Sequence, residues 1–350
     1  MEKRKLEWHE KGARIAVVGA TGAVGRKILE SLESIKFPVR ELYLLASPKS
    51  VGKILEYSGE SHVVGDAHQF DFRRADIALF SAGGAVSREL APRVIESGCL
   101  MVDNTSAFRR DEQWPLVVPE INGHLVVPQA GIIANPNCST IQMVLALKVI
   151  HDMACLKSVR VATYQSCSGA GQKGIDALLD ETRQALTGNR PTQSKVHARG
   201  IAFDCVPQIG PFLDSGFTEE EDKMMFETRK ILDIPDLPVS ATCVRVPVLR
   251  SHSEVVHVTT QKEFELGEIV KALDEASGLK VTDRQEISLY PTATQAEGHG
   301  DTFIGRIRRD PCDPNGIILW IVSDNLLKGA AWNAVQIACV AWNRAKDFQP

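Results

Sequence analysis

The chain lacks several features that mark other classes of protein. No apolar run reaches the ~18 residues needed to span a bilayer, and the charged opening MEKRKLEWHEKGA has no apolar core of a signal peptide. The eight cysteines are scattered without a C-x-x-C pair, so neither a disulfide scaffold nor a metal site is expected. A formal net charge of −4 argues against nucleic-acid binding. These absences predict a cytoplasmic protein that binds neither membranes nor nucleic acid.

The composition that remains is typical of a globular protein. The chain has 350 residues, of which 44% are hydrophobic and 24% are charged. This length exceeds that of an ordinary single domain, so two domains are expected.

A glycine-rich turn near the N-terminus indicates a dinucleotide site. The β-branched run 14–18 leads into Gly19-Ala20-Thr21-Gly22-Ala23-Val24-Gly25 and then into the helical pattern RKILESLES. Glycines in such a turn let the backbone approach a pyrophosphate, which then binds the exposed N–H groups of the helix N-terminus. A tight turn without a ligand is the alternative, and the strand and helix on either side disfavour it.

The end of the second predicted strand bears on the choice of cofactor. Apolar ELYLLAS (41–47) ends about 20 residues after the glycines, where NAD-binding folds place an acidic residue. This chain has Ser47, Lys49, Ser50 and Lys53 there, and these hydroxyls and two lysines could receive a 2′-phosphate without repulsion and so favour NADP. A polar loop with surface lysines is the other interpretation.

Alternating strands and helices continue through the first third of the chain. ADIALFSAGG (75–84) and CLMVDNTSAF (99–108) read as strands, and SRELAPRVIESG between them reads as a helix. This order predicts an α/β fold with a doubly wound, Rossmann-type sheet.

A cysteine in NPNCSTIQM (135–143) is placed for reactivity. Pro136 favours an extended preceding residue, Asn137 is a good N-cap, and apolar residues then recur at helical spacing. Cys138 therefore falls in the first helical turn, where the helix dipole favours the thiolate. We interpret Cys138 as a nucleophile and the other seven cysteines as buried small hydrophobic residues.

A nucleophilic thiol beside a nicotinamide fold suggests covalent oxidation or reduction of an acyl group, which needs a base. In ATCVRVPVLRSHSEVVHVTT, the valines occupy one face of a strand, Arg245 projects from the other, and His252 follows in the turn before the next strand. Both side chains could reach one pocket. A solvated loop histidine is the alternative.

The motifs together resemble bacterial aspartate-semialdehyde dehydrogenases from about Arg14 to Trp342. They are, in chain order, GATGAVG, NTSAF-R, NPNCSTIQM, ATYQSCSGAGQKG, RVP-x-x-R-x-HSE and GRIRRDP-x-DPNG-x-x-LW-x-VSDNL. The resemblance implies NADPH-dependent reduction of L-aspartyl-4-phosphate to L-aspartate 4-semialdehyde and phosphate, in lysine, threonine and methionine biosynthesis. It also implies a homodimer or homotetramer.

The resemblance also implies roles for individual residues. Cys138 would be the acyl-accepting nucleophile, His252 the general acid/base, and Gln165 the residue that orients the acyl group. Arg245 would bind the substrate α-carboxylate through its planar fork. The remaining substrate residues would be Arg109 for phosphate, Glu220 for the amine and Lys223 for phosphate. Thr218 and Glu221 look like a capping box, and a surface ion pair is the alternative for Glu220 and Lys223.

Further cofactor contacts are expected from the same resemblance. Besides Gly19–Gly25 and the 47–50 loop, they are Ser81, Ala82, Gly83, Asn104, Ser168, Gly169 and Asn325. The family commonly has an arginine where this chain has Lys49, and a lysine binds a 2′-phosphate only as a point charge.

The expected architecture is that of glyceraldehyde-phosphate dehydrogenase. Residues 1–137 would form the NADP-binding domain, and 138–322 an α+β domain for substrate and dimerisation with an antiparallel sheet. A helix over 327–345 would pack back onto the first domain, with the active site at the seam. N-acetylglutamyl-phosphate reductase, malonyl-CoA reductase and a catalytically silent homologue are the alternatives.

Overall fold

The computed structural model describes residues 11–345, so the expectation for the first ten residues lies outside the described part. The chain forms two compact units. One comprises the residues up to Pro136 and those from Ala330 onward, and the other comprises Asn137–Gly329.

The first unit is built on a parallel sheet. Its strands are β1 (Ala13–Val18), β2 (Val39–Ala46), the hairpin β3 (Ile54–Tyr57) and β4 (Glu60–Val63), β5 (Gly65–Asp66), β6 (Ile77–Phe80), β7 (Leu100–Asp103) and β8 (Gly131–Ala134). The six-stranded sheet has the order β5-β2-β1-β6-β7-β8, and all its pairs are parallel. The helices of this part are α1 (Ala23–Ser34), α2 (Gly84–Glu96) and α3 (Pro119–Asn122).

Both faces of this sheet are covered by apolar side chains. Helix α1 and the last helix of the chain bury one face, and α2 buries the other. Because parallel strands covered on both sides must be apolar throughout, β6 and β7 contain only buried residues. The predicted doubly wound α/β fold is confirmed.

The second unit contains helices and a mixed sheet. Its helices are α4 (Cys138–Ala154), α5 (Gln172–Leu186), α6 (Glu219–Leu232), α7 (Leu266–Glu275) and α8 (Ala293–Ala296). Its strands are β9 (Leu156–Gln165), β10 (Val239–Arg245), β11 (His252–Thr260), β12 (Leu279–Val281), β13 (Thr302–Arg309) and β14 (Gly316–Ser323).

The sheet order in this unit is β10-β9-β11-β14-β13-β12. The predicted antiparallel sheet is wrong in part, because β9–β10 and β12–β13 are parallel pairs. Long connections make this possible: helices α5 and α6 separate β9 from β10, and α8 lies between β12 and β13. One face of β9, β10 and β11 is buried, and helix α4 packs on β9, β11 and β14.

The last helix is shorter than predicted. Helix α9 (Trp332–Ala345) starts five residues after the expected position 327, because Leu327–Ala331 forms a wider turn of π-helical type. Helix α9 packs in the first unit, with Trp342 against Phe37 at a centroid distance of 6.0 Å. No helix between residues 11 and 345 has the length and the apolar character needed to cross a membrane.

Candidate active site

Two positions in the turn after β1, Gly19 and Gly25, have room for glycine only. Gly19 has a φ of +91°, and a Cβ atom there would lie 2.8 Å from the backbone of Ser81. A Cβ on Gly25 would lie 2.2 Å from the carbonyl oxygen of Gly19, so the start of α1 packs directly on the turn. The spacing of Gly19 and Gly25 in the motif thus has a steric cause. The turn keeps the N-terminus of α1 close to β1.

Polar groups around this turn fit a dinucleotide. Gly22 is the N-cap of α1 and offers no side chain to the first N–H groups of the helix. The Ser81 Oγ atom is buried and has no hydrogen-bond partner among residues 11–345. Gly83, at the N-cap of α2, has a φ of +94°. Donors of this kind suit the phosphates and hydroxyls of NAD or NADP.

The loop after β2 brings a second lysine to the glycine turn. Ser50 Oγ accepts from Thr21 Oγ1 at 3.4 Å and from Lys53 Nζ at 3.3 Å. Lys49 and Lys53 are both exposed. The sequence offered both lysines for this role, and the fold of the loop brings Lys53 to Ser50.

Arg109 and Asn104 lie together in the first unit. Arg109 is buried and donates from Nη2 to the Asn104 carbonyl oxygen at 2.9 Å. The Asn104 side chain donates to the Phe80 carbonyl oxygen at 2.9 Å and accepts from Asn135 Nδ2 at 3.0 Å. The carboxamide of Asn104 therefore holds the loop after β7, and its predicted cofactor contact stays a prediction.

Cys138 is the first residue of α4, as predicted. The Asn137 side chain caps the helix, because its Oδ1 accepts from the backbone N–H groups of Ser139 and Thr140 at 3.0 and 3.2 Å. Gly329 packs against this turn, and a Cβ there would lie 2.7 Å from the Cys138 Cβ. The thiol is thus fixed at the positive end of a 17-residue helix, where the thiolate form is favoured.

Three other predicted residues of the second unit lie at the ends of three adjacent strands. Arg245 ends β10 and pairs with Gln165, which ends β9. His252 begins β11 and does not lie in the preceding turn as predicted, because the strand starts directly after Ser251, whose φ is +68°. All three side chains are buried. The sheet therefore gathers residues that are far apart in the sequence.

Glu220 joins this group to the start of helix α4. Its Oε1 accepts from Asn137 Nδ2 at 2.8 Å and from Gln165 Nε2 at 3.4 Å, and its Oε2 lies 3.8 Å from Lys223 Nζ. The predicted capping box of Thr218 with Glu221, the residue after Glu220, is present. Glu220 is 8% exposed and the Lys223 side chain is half-buried, so the pair is only partly exposed.

Ser166 joins Arg245 to His252. Its carbonyl oxygen accepts from Arg245 Nη1 at 2.7 Å, and its N–H donates to His252 Nδ1 at 3.1 Å. A Cβ on Gly169 would lie 2.7 Å from Arg245 Nη1 and 3.4 Å from His252 Nε2, so both groups converge beside this glycine. No pattern in the sequence indicates a role for Ser166, because a serine after a strand is not distinctive.

Ser168 and Asn325, predicted as cofactor contacts, are buried beside His252. Asn325 Oδ1 accepts from Ser168 Oγ at 2.9 Å, from Ser166 Oγ at 3.2 Å and from the Ser251 N–H at 2.9 Å. These contacts fix the histidine, and contact of either residue with the cofactor stays a prediction.

Burial disfavours the charged form of two ionisable groups of the site. Burial lowers the pKa of His252 to about 3, and the positive charge of Arg245 acts in the same direction. Burial likewise raises the pKa of Glu254 well above its usual range, while a hydrogen bond from Gln142 opposes the shift.

The remaining cysteines differ in exposure. Burial raises the pKa of Cys167 and of Cys339 to about 11, and burial also raises the pKa of Cys243. Cys205 and Cys312 are exposed, so the expectation of seven buried cysteines is wrong for these two, which lie in loops outside the sheets. No group of three or more potential metal-binding side chains occurs within residues 11–345.

Comparison with known proteins first defines the class. Residues 14–127 match a family described as "Semialdehyde dehydrogenase, NAD binding domain", and residues 147–328 match "Semialdehyde dehydrogenase, dimerisation domain". The two matches fall in the first and second units, which carry the glycine turn and the cysteine helix. The chain thus has the two domains of a semialdehyde dehydrogenase.

Individual relatives show which family of semialdehyde dehydrogenases the chain belongs to. The chain is 49% identical to the aspartate-semialdehyde dehydrogenase of Legionella pneumophila over 93% of this chain and 94% of that one. It is 47% identical to that of Aquifex aeolicus over 93% and 97%. A crystal structure of aspartate-semialdehyde dehydrogenase II from Vibrio cholerae complexed with ASA has 44% identity and a TM-score of 0.90, covering 94% of this chain and 97% of that one. The chain belongs to the aspartate-semialdehyde dehydrogenase family, which confirms the resemblance seen in the motifs.

Proposed function

We propose that the chain reduces L-aspartyl-4-phosphate with NADPH to L-aspartate 4-semialdehyde and phosphate. In reverse it would oxidise the aldehyde in the presence of phosphate. The observation that carries this proposal is the thiol at the N-terminus of α4, joined through Asn137 and Glu220 to Gln165 and Arg245. The reaction belongs to lysine, threonine and methionine biosynthesis in the cytoplasm.

Each proposed catalytic residue of the second unit has a role in this chemistry. The Cys138 thiolate attacks the acyl carbon and forms a thioester, and Gln165 orients the acyl oxygen. His252 would act as the general acid/base. The glycine turn of the first unit would hold NADPH, which would supply the hydride.

The charged groups suit a substrate with one amine and two anionic ends. Arg245 offers a planar fork to the α-carboxylate, and Glu220 offers a carboxylate to the amine. Lys223 and Arg109 would bind the phosphate. The ASA present in the Vibrio cholerae structure supports a substrate of this kind.

The direct test is NADP reduction by aspartate semialdehyde, with and without phosphate. Turnover that requires phosphate supports the proposal. Turnover with N-acetylglutamate semialdehyde or with malonyl-CoA instead would indicate one of the two related reductases. Binding of NADP without turnover of any of these compounds would indicate a silent homologue.

Separate variants should distinguish the two anionic ends of the substrate. Arg245→Lys keeps the charge but loses the planar fork and the bond to Ser166, so kcat/KM for the semialdehyde should fall. Charge-assisted hydrogen bonds contribute about 1.5–3 kcal/mol, which corresponds to roughly 10- to 100-fold. Steady-state kinetics with varied semialdehyde would measure this. The exposed Arg160→Lys is the control.

Lys223→Ala and Arg109→Ala should instead mainly raise the KM for phosphate. The assignment of the two anion sites fails if Arg245→Lys is silent, or if both other variants leave the phosphate KM unchanged.

We further propose that NADP is preferred over NAD. No carboxylate follows β2, and Lys49 and Lys53 lie near Ser50 beside the glycine turn. One charge-assisted contact of about 1.5–3 kcal/mol should favour NADP by about tenfold or more. Lys49→Ala should raise the KM for NADP, and Lys49→Arg should widen the preference, while the exposed Lys262→Ala should change neither. Equal kcat/KM values for the two cofactors in the wild type would contradict a 2′-phosphate site in this loop.

The assembly we propose is a homodimer formed through the second unit. This unit matches a family described by dimerisation, and the outer face of its sheet presents Tyr164 and Trp320, whose rings lie 5.6 Å apart. Sedimentation would show twice the 38.4 kDa of one chain, and four times that mass would indicate a tetramer instead.

A further inference from the structure

The backbone N–H of Asn137 needs an acceptor from outside helix α4. Asn137 is the N-cap residue, with φ −62° and ψ 143°, so its own N–H lies outside the hydrogen-bond ladder of the helix. The residue is buried, which keeps bulk water away from this donor. A buried peptide N–H without an acceptor is costly, and such groups are therefore nearly always paired.

Glu227 on α6 is the acceptor. Its Oε2 accepts from the Asn137 N–H at 2.6 Å, across 90 positions of the sequence, and the glutamate is 1% exposed. Such a short distance is typical of hydrogen bonds to ionised carboxylates, which are roughly twice as strong as neutral ones. The resemblance in the motifs assigns no role to Glu227.

A second glutamate of the same helix holds the side chain of Asn137. Glu220 Oε1 accepts from Asn137 Nδ2 at 2.8 Å, while Asn137 Oδ1 caps α4. Glu220 and Glu227 are seven residues apart, which is about two helical turns, so both lie on one face of α6. Helix α6 packs against α4. The side chain and the backbone of Asn137 are thus held by separate carboxylates.

The two glutamates differ in their other contacts. Glu220 also accepts from Gln165 Nε2 and lies near Lys223, and it is the group proposed above to bind the substrate amine. Glu227 is more deeply buried and binds a backbone N–H, which is present with or without substrate. The hold of Glu227 on Asn137 therefore does not depend on a bound substrate.

Fixing Asn137 also fixes Cys138. Neighbouring Cα atoms are only about 3.8 Å apart, so a displacement of the Asn137 peptide displaces the first turn of α4. On another side Cys138 meets Gly329, where a Cβ atom would lie 2.7 Å from the Cys138 Cβ. The residue is consequently held by a short hydrogen bond to its neighbour and by a close steric contact.

Taking Cys138 as the nucleophile, as in the function proposed above, we propose that Glu227 is a positioning residue for it. The Glu227 carboxylate anchors the Asn137 N–H and thereby aims the thiol and the first N–H groups of α4. Loss of this anchor should lower the reactivity of the thiol more than the binding of substrate, because Arg245 keeps its own bond to the Ser166 carbonyl oxygen.

The reactivity of Cys138 can be measured without substrate or cofactor. Brief treatment with iodoacetamide at pH 7, followed by mass spectrometry of the peptide that contains Cys138, gives its alkylation rate. We expect Glu227→Ala to lower this rate by about fivefold or more, the size of a helix N-terminus effect on one charge. Glu227→Gln keeps the length and one acceptor oxygen, so its rate should lie between those of Glu227→Ala and wild type. The exposed Cys312 is the internal reference and should react equally in every variant.

The chain offers a matched control for a loss of stability. Glu181 on α5 is also buried, and its Oε2 accepts from the Ile201 N–H at the same distance of 2.6 Å. Glu181→Ala should lower the thermal midpoint about as much as Glu227→Ala but leave Cys138 alkylation at the wild-type rate. Equal slowing in both variants would reduce Glu227 to a stabilising residue. Wild-type alkylation in folded Glu227→Ala would also overturn the proposal. If Glu227→Ala does not fold, Glu227→Gln decides alone, and it must slow Cys138 without slowing Cys312.

Turnover gives a second readout. The kcat for the semialdehyde should fall in the order wild type, Glu227→Gln, Glu227→Ala, with a smaller change in the semialdehyde KM. A raised KM at unchanged kcat would contradict the positioning role. Slow alkylation in Glu227→Ala together with no turnover by the wild type would support this inference and reject the proposed function.

Discussion

Replacement of Cys138 by alanine should abolish turnover while NADP still binds. The thiol is the only proposed group that forms a bond to substrate, and loss of a nucleophile typically lowers kcat by several orders of magnitude, on the order of 10⁴-fold or more. The cofactor turn Gly19–Gly25 belongs to the first unit, whereas Cys138 belongs to the second. Within the turn, Gly19 lies close to Ser81 and Gly25 lies close to Ala20. Binding of NADP, measured by calorimetry, should therefore remain near the wild-type value.

The chain offers a matched control for this variant. Cys312 is exposed, and Cys312→Ala should leave both turnover and NADP binding unchanged. Mass spectrometry after brief treatment with substrate should find an acyl adduct on Cys138 in the wild-type protein. Wild-type activity in Cys138→Ala would end the covalent interpretation.

The first unit could be predicted closely because its signals are local. The strand, the glycine turn and helix α1 follow one another within Ala13–Ser34, and Gly19 and Gly25 each have a steric reason that a sequence motif records. The same holds for Asn137, since an N-cap acts on residues two and three positions away. Local hydrogen bonds and hydrophobic periodicity determine these features, and the tertiary contacts agree with them.

The second unit could be predicted in its residues but not in its arrangement. Parallel pairing of β9 with β10 depends on contacts between residues about 80 positions apart, which no local pattern encodes. Asn137 meets Glu220 across 83 positions, and Ser166 meets Asn325 across 159. The resemblance supplied Gln165, Glu220 and Asn325 as site residues.

The roles of buried polar groups were the hardest to foresee. Ser166 and Glu254 show nothing unusual in the sequence, and their importance comes from burial beside His252 and Gln142. Gln142 lies one helical turn after Cys138 and is 3.4 Å from the His252 carbonyl oxygen. Burial and donor geometry are properties of the folded chain, which is why the surroundings of His252 could not be predicted from the sequence alone.

Replacement of His252 by alanine should lower kcat by about 10²–10⁴-fold, the range for loss of one catalytic proton-transfer or hydrogen-bond group. The semialdehyde KM should change less, because Arg245 and Glu220 provide the charges that bind substrate and both keep their other contacts. His257 lies on the same strand with its ring 3.2 Å from Asp310 and away from the buried row, so His257→Ala should stay close to wild type. Steady-state kinetics in both directions would measure the two constants separately. A raised KM with near-normal kcat in His252→Ala would make His252 a binding residue, and the general acid/base would then lie elsewhere.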